Sequence, residues 1–105
     1  QQLRDDLGLK IRAAEHADLT DVIDELHRHR AEHLARLRLY RSFESDDYPD
    51  PQALTGRRLH QYLVLRGGVR IEEGFIGWCD EVIAALEDEQ RRIGTPTQTS
   101  ATTES

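Results

Sequence analysis

The chain has 105 residues, a length that permits one domain at most, and charged side chains make up 32% of it. Hydrophobic residues are only 37%. We therefore expect the isolated chain to be marginally stable and to need a partner that completes its core. The low counts of three prolines and two phenylalanines argue against a β-rich fold. The net charge of −6 disfavours independent binding to a phosphate backbone.

Breaks in the pattern divide the chain into three helical segments and a tail. Pro49 and Pro51 close an acidic stretch over residues 42–51 and bar a continuing helix, while a weaker break lies near Ala17 and Asp18. Residues 94–105 are small and polar with nothing to bury, which predicts a disordered tail. Residues 1–93 are therefore predicted to form one helical domain.

The first two helices are read from apolar residues at helical spacing. The first is predicted over about Leu3 to Ala17, with a stripe at Leu3, Leu7, Ile11 and Ala14. The second is predicted from Asp18 or Thr20 to about Phe43, with Asp18 as its cap. Its seam steps by alternating four and three residues through Leu19, Ile23, Leu26, Arg30, His33, Leu37 and Tyr40.

Arg30 and His33 interrupt this apolar seam, and two interpretations are open. If they are buried, carboxylates of Glu72, Glu73 or Asp80 on the neighbouring helix could pair with them. Alternatively the seam rolls towards Leu34 and leaves Arg30 at its edge. We favour the second interpretation, because Val22, Leu26, Leu34 and Leu37 already make an adequate apolar face.

The third helix is predicted to begin between Pro51 and Thr55 and to end near Ile93, roughly forty residues and about 60 Å. A helix this long with apolar residues on two sides needs two sets of neighbours, of which one is most simply a second chain. The candidate dimer-interface residues on its seam are Leu65, Val69, Ile76, Ile83 and Leu86. The predicted fold class is all-α, three helices with one long C-terminal helix, forming an intertwined two-fold dimer.

Four glycines within this helix each cost about 0.8–1 kcal/mol of helix propensity relative to alanine. Gly67 and Gly68 either break the helix or serve close packing or a kink; we favour the latter because the apolar register continues across them. Gly74 and Gly77 lie beside Trp78, where the missing side chains let another backbone approach or leave room for a ligand.

Trp78 is the only tryptophan and the centre of the candidate ligand site. Its indole offers a broad apolar face and one N–H donor, which suits a flat aromatic effector. The remaining ligand-binding candidates are Phe75, Tyr62 and Leu59 as wall and Arg70 as a charge for an acidic ligand. The competing interpretation, which we favour, is that Trp78 packs in the core as an anchor.

Little in the sequence supports catalysis or a cofactor. His29 and His33 with Glu25 could present a metal-binding face, but a solvated helix face is favoured, so no metal is expected. Cys79 has no basic neighbour to activate it and is expected to be a core thiol. Because no phosphate-binding loop, nucleophile elbow or triad is present, we expect neither an enzyme nor a bound cofactor.

Three segments in the same order resemble one protein family. The run Glu72–Ile83 (EEGFIGWCDEVI) resembles the Trp-Leu-Asp-Glu-Leu pattern that ends the C-terminal domain of PadR-type transcriptional regulators. The run Arg4–Ile11 (RDDLGLKI) looks like the entry to that domain, and Val22–Arg30 is similar to its charged middle helix. The resemblance covers about Leu3 to Leu86; Gly74, Gly77 and Cys79 depart from it.

The resemblance implies a dimerisation and small-molecule-sensing domain of a bacterial regulator. DNA would then be bound only through an N-terminal winged helix-turn-helix domain that this chain does not contain. The alternative is a helical oligomerisation or adaptor module with no ligand and no role in DNA binding. The expected partners are therefore a second copy and a small aromatic effector.

The remaining expectations concern the compartment. A single cysteine excludes an internal disulfide and fits a reducing compartment, so we expect a cytoplasmic protein. No apolar run approaches the roughly 18–20 residues that a bilayer span needs, so no membrane partner is expected. The chain contains no methionine, even at position 1, and we expect it to be a piece of a longer protein.

Isolated, the chain should not bind duplex DNA at physiological salt. Its net charge of −6 repels phosphates and supplies no release of counterions on binding. An electrophoretic mobility shift at micromolar protein is the measurement, and a shifted band would contradict the prediction.

Overall fold

The computed structural model describes residues 2–12 and 18–94, which contain three α-helices and no strand. They are α1 (Gln2–Arg12), α2 (Leu19–Asp47) and α3 (Gly56–Gly94), with a 3-10 turn at Pro51–Ala53. The predicted all-α class with one long C-terminal helix is confirmed. The predicted end of the first helix at Ala17 and the predicted tail after position 94 lie outside the described residues.

Asp18 begins α2 in the way that its capping role requires. The backbone N–H of Thr20 donates to Oδ1 of Asp18 at 2.9 Å, and the N–H groups of Asp21 and Val22 reach the Asp18 carbonyl at 3.1 and 3.3 Å. These bonds satisfy amide donors that the first turn of a helix leaves without partners. The predicted start is confirmed.

The end of α2 lies four residues beyond the predicted Phe43, at Asp47. Its last turn is acidic and contains no basic residue, which the negative end of a helix dipole disfavours. Arginines of α3 compensate: Arg66 contacts Glu44 at 2.6 Å, and Arg58 donates to the backbone carbonyl of Asp47. The acidic run therefore extends the helix instead of breaking it, and α2 ends just before Pro49.

The connection to α3 also differs from its prediction. Pro51–Ala53 form a 3-10 turn, and α3 begins only at Gly56, one residue after the predicted range. Gly56 has a φ of +59°, a left-handed conformation that favours glycine. That conformation lets the chain turn out of the proline-containing segment and into the helix.

At Gly67 and Gly68, α3 continues without a break, so the close-packing interpretation holds. A Cβ added at Gly68 would lie 3.0 Å from Cε2 of Tyr40, so glycine here lets the tyrosine ring lie against the helix backbone. Added at Gly67, Gly74 or Gly77, a Cβ would meet nothing within 4 Å. Those three glycines face open space in the single chain.

The chain forms two compact units, of which the first contains the described parts of residues 1–27 and 79–105. Lys10 of α1 pairs with Glu25 of α2, and Nε2 of Gln90 donates to Oγ1 of Thr20 at 2.7 Å. Two residues of the seam predicted for α2, Ile23 and Leu26, are buried here, as is the predicted core thiol of Cys79. The buried residues of this unit are Leu7, Val22, Ile23, Leu26, Cys79 and Ile83.

The second unit contains residues 28–78, with the later part of α2 and the first part of α3. Contacts run in opposite order along the two segments, from Glu44 with Arg66 to His33 with Glu72, so they pack antiparallel. The core is a cluster of Leu37, Val69 and Ile76, against which Leu34 and Tyr40 pack. Apolar residues at heptad spacing thus meet across the hairpin.

None of the helices in the described ranges is both long and apolar enough to cross a membrane.

Gly68 and Gly77 allow a matched test of close packing within α3. Gly77→Ala should stabilise the chain by about 0.8–1 kcal/mol, because alanine has the higher helix propensity and the new methyl group meets open space. Gly68→Ala gains the same propensity but places its methyl group against the Tyr40 ring, so that gain should be lost or reversed. Urea unfolding at one fixed protein concentration measures both; equal stabilisation by the two variants would contradict the packing.

Candidate functional site

Glu72 is the one charged side chain that is buried among the described residues, with 7% of its side chain exposed. Nδ1 of His33 is hydrogen-bonded to its Oε1, and Nη1 of Arg36 donates to its Oε2 at 3.3 Å. Both carboxylate oxygens therefore have a partner from α2. A buried carboxylate without such partners would be strongly destabilising.

This arrangement combines parts of the two interpretations of the seam of α2. His33 pairs with Glu72, which lies opposite it, as the first interpretation predicted. Leu34 packs against the core, as the second interpretation predicted, so the seam holds both the apolar Leu34 and the paired His33. The pairing also uses His33, which the metal-binding interpretation needed, and the described residues contain no group of three or more side chains suited to holding a metal ion.

Next to Glu72, the half-buried Glu73 forms a second set of ion pairs. Nη2 of Arg41 contacts its Oε2 at 2.5 Å, and Nη1 of Arg70 contacts Oε1 at 3.4 Å. The hydrogen bond from Arg41 lowers the pKa of the Glu73 carboxyl. Its contribution to stability is thus present at neutral pH and is lost as the pH falls below about 4.5 and through the lowered pKa.

Aromatic rings extend from the buried pair along α3. The ring of His33 lies 4.2 Å from that of Phe75, and Phe75 lies 5.8 Å from Trp78, measured between centroids. Phe75 and Trp78 are both half-buried. Two of the predicted ligand-binding residues are therefore neighbours, and the cluster is connected to the buried charge through His33.

The other ligand-binding candidates lie elsewhere. Tyr62 precedes Trp78 by sixteen residues in the same unbroken helix, which is about 24 Å along the axis at 1.5 Å per residue, and Leu59 lies still further away. Within one chain, these two residues therefore do not share a pocket wall with Trp78. Arg70 is exposed and contacts Glu73.

Tyr62 instead lines a concavity of about 540 Å³ at the turn end of the second unit. Its ring packs 5.4 Å from Tyr48, and the guanidinium of Arg58 lies 4.7 Å above the Tyr48 ring. Except for Tyr62, sequence reasoning assigned none of its lining residues to a site; the aromatic and proline residues after the acidic end of α2 were the available signal. The lining residues are Arg41, Glu44, Ser45, Tyr48, Pro49, Pro51, Tyr62 and Arg66.

Of the candidate dimer-interface residues, Val69 and Ile76 are buried in the second unit and Ile83 in the first, all within the single chain. Leu65 and Leu86 are half-buried. The apolar surface that the second unit leaves exposed on α3 lies on another side, where Val64 is 77% and Ile71 is 59% exposed. We define the open face of α3 as Val64, Gly67, Ile71, Gly74 and Trp78, which alternate in steps of three and four residues.

Comparisons with known proteins agree on one kind of protein. A family described as virulence activator alpha C-term matches residues 3–87. A protein of Mycobacterium tuberculosis, named as a probable transcriptional regulator, is 44% identical to the chain over 85 residues, which is 81% of the chain. The chain spans only 45% of the length of that relative.

Glu72 and Glu73 give a matched test of the buried pairing. Glu72→Ala should destabilise the chain by about 1–3 kcal/mol, because it leaves the part-buried Nδ1 of His33 without its hydrogen-bond partner. Glu73→Ala removes a carboxylate from the same helix and surface pairs only, so its effect should be far smaller. Chemical unfolding measures the free energy of unfolding of both variants. Similar losses of stability would show that the burial of Glu72 makes no contribution.

Proposed function

The chain belongs to the virulence activator alpha C-terminal family, and we propose that it is the dimerisation and effector-sensing part of a bacterial transcriptional regulator. The match over residues 3–87 carries this proposal, together with the 44% identity to a protein named as a transcriptional regulator. The role is a binding role and not a catalytic one. The cytoplasm is the compartment in which such a regulator would act.

The kind of regulator is the finer part of the proposal. The run Glu72–Ile83 resembles the end of the C-terminal domain of PadR-type regulators, and Arg4–Ile11 resembles its beginning. DNA would be contacted by another part of the regulator, because a surface with a net charge of −6 does not suit a phosphate backbone. The chain would then pass a signal to that part by changing how two copies associate.

The open face of α3 is the surface that we assign to the second copy. Val64 and Ile71 are apolar and exposed, and they lie on one stripe of α3. An exposed apolar stripe is typical of a surface that binds a partner. Gly67 and Gly74 alternate with them and face open space, so a partner helix could approach the backbone closely there. A two-fold arrangement would pair this face with itself.

Sensing is assigned to the Phe75 and Trp78 pair. The two rings are neighbours and half-buried, and Trp78 is also the last residue of the open face. A flat aromatic effector lying on Trp78 would therefore touch the surface that holds the dimer together. The alternative is an oligomerisation module without a ligand. The contact between Trp78 and Phe75 also supports it, because Trp78 could serve as a packing anchor.

Ile71→Glu tests the dimer and its surface together. Wild-type chain at micromolar concentration should sediment at about twice the monomer mass of 12.1 kDa, with a buried interface above about 2,000 Å². The variant should sediment as a monomer, because it would place two carboxylates in an apolar two-fold interface.

Leu39→Glu is the matched control, since Leu39 is a similarly exposed apolar residue on α2, at 51%. It should leave the dimer intact. A wild-type monomer would overturn the proposed dimerisation, and a dimer broken by Leu39→Glu but not by Ile71→Glu would move the interface to α2.

A further inference from the structure

The open face of α3 continues along the helix beyond the residues that define it. Counting in the same steps of three and four residues, Arg57 and His60 precede Val64, and Glu81 follows Trp78. The side chains of Arg57, His60 and Glu81 are exposed. The extended face therefore has an apolar centre, a cation towards one end and an anion towards the other.

Charge is divided along the whole helix in the same way. Residues 56–71 contain arginines but no Asp or Glu, and residues 72–89 contain Asp and Glu but no Lys or Arg. Arg57 lies in the first turn, at the positive end of the helix dipole, which disfavours a cation. In the part of the chain that the structure describes, neither Arg57 nor Glu81 forms an ion pair. A second helix that runs in the opposite direction would supply each of them with an opposite charge.

Large and small residues alternate at the centre of the face. Val64 and Ile71 are 77% and 59% exposed, and a Cβ added at Gly67 or Gly74 would meet nothing within 4 Å. If two copies of α3 run antiparallel about a two-fold axis midway between Gly67 and Ile71, Ile71 of each copy lies opposite Gly67 of the other. The same alignment places Val64 opposite Gly74, so each apolar side chain fills the space that a glycine leaves.

The alignment that matches the apolar centre also matches the ends of the face. Trp78 of one copy lies at the level of His60 of the other, where two rings can pack together. Arg57 of one copy lies at the level of Glu81 of the other, and the two-fold symmetry makes this ion pair twice. Every level of the face from residue 57 to residue 81 thus agrees on one offset of the two helices.

A parallel arrangement of the two helices lacks this match. It would place every residue beside its own copy, so Ile71 would meet Ile71, and Gly67 would meet Gly67 and leave a gap. Arg57 would meet Arg57, and Glu81 would meet Glu81, which brings like charges together. An unrelated partner would have to reproduce the whole order of residues, whereas a second copy supplies it by symmetry.

We propose that α3 pairs antiparallel with α3 of a second copy, with Ile71 opposite Gly67 and Arg57 opposite Glu81, and that this order of residues selects a second copy as the partner. The inference rests on the proposed dimerisation and adds to it the direction and the alignment of the two helices. Arg57 and Glu81 specify the direction, because only the antiparallel pairing brings their opposite charges together.

Charge reversal tests the pairing of Arg57 with Glu81. Arg57→Glu and Glu81→Arg should each weaken dimerisation about tenfold, because each change places like charges opposite one another twice in the dimer. The variant with both changes restores opposite charges, and its dissociation constant should lie within about twofold of the wild-type value. The measurement is sedimentation of the 105-residue chain over a series of concentrations at low salt, where ion pairs are least screened.

The matched control combines Arg57→Glu with Glu89→Arg. It has the same net charge as the first double variant, but it reverses an exposed carboxylate that lies beyond the paired levels of α3. Its dimerisation should stay as weak as that of Arg57→Glu alone. Circular dichroism confirms that each variant keeps its helices.

A distance measurement tests the direction of the two helices. Spin labels are attached to Gln61→Cys, an exposed position, in a Cys79→Ala background that removes the buried native thiol. In the antiparallel alignment residue 61 of one copy lies beside residue 77 of the other, so the two labels should be separated by about 24 Å along the axis at 1.5 Å per residue. A parallel pair would hold the labels side by side, at about the 8–10 Å that separates packed helices.

A wild-type dimer, recovery by the first double variant only and widely separated labels are the expected results. A wild-type monomer would overturn the proposed dimerisation together with this alignment. A wild-type dimer whose first double variant associates no more tightly than its control, or whose labels lie side by side, would overturn the alignment and leave dimerisation standing.

Discussion

Glu72 is a charged group in the middle of an apolar seam, and the pairing of α2 with α3 in the second unit depends on its being neutralised. Leu37, Val69 and Ile76 supply non-directional attraction, which many offsets of one helix along the other would satisfy nearly as well. A buried carboxylate is different, because an offset that moves His33 and Arg36 away from it leaves its charge unpaired unless another cation takes their place. Glu72 thus favours this alignment of the two helices over offsets that leave its carboxylate unpaired.

A second set of charges fixes the turn end of the same hairpin. The acidic last turn of α2 would be unfavourable alone, and Arg58 and Arg66 of α3 make it tenable by contacting the Asp47 carbonyl and the Glu44 carboxylate. Arg66 also lines the concavity beside the turn and Arg58 lies over its Tyr48 ring, so the residues that stabilise the turn also shape that surface.

Apolar periodicity was sufficient to predict the three helices, and residue type predicted the Asp18 cap, because those features depend on residues close together in sequence. It failed where the decisive contact came from the other helix. The extension of α2 to Asp47 needs Arg58 and Arg66, and the pairing of His33 needs Glu72, which lies 39 positions away. The grouping of Tyr62 with Trp78 rested on residue type alone, and the unbroken helix places the two residues far apart within one chain.

The buried face and the open face of α3 differ in what they can contact. Val69, Glu72 and Ile76 are committed to the chain's own hairpin, so a surface for a second copy has to come from another side of the helix. Val64 and Ile71 provide one about a third of a turn away, and Gly67 and Gly74 on the same face cost helix propensity that nothing in the single chain offsets. Gly68 differs from them, because Tyr40 fills the space beside it. The proposed second copy, packing on this face, would account for Gly67 and Gly74, where a missing side chain lets another backbone come close.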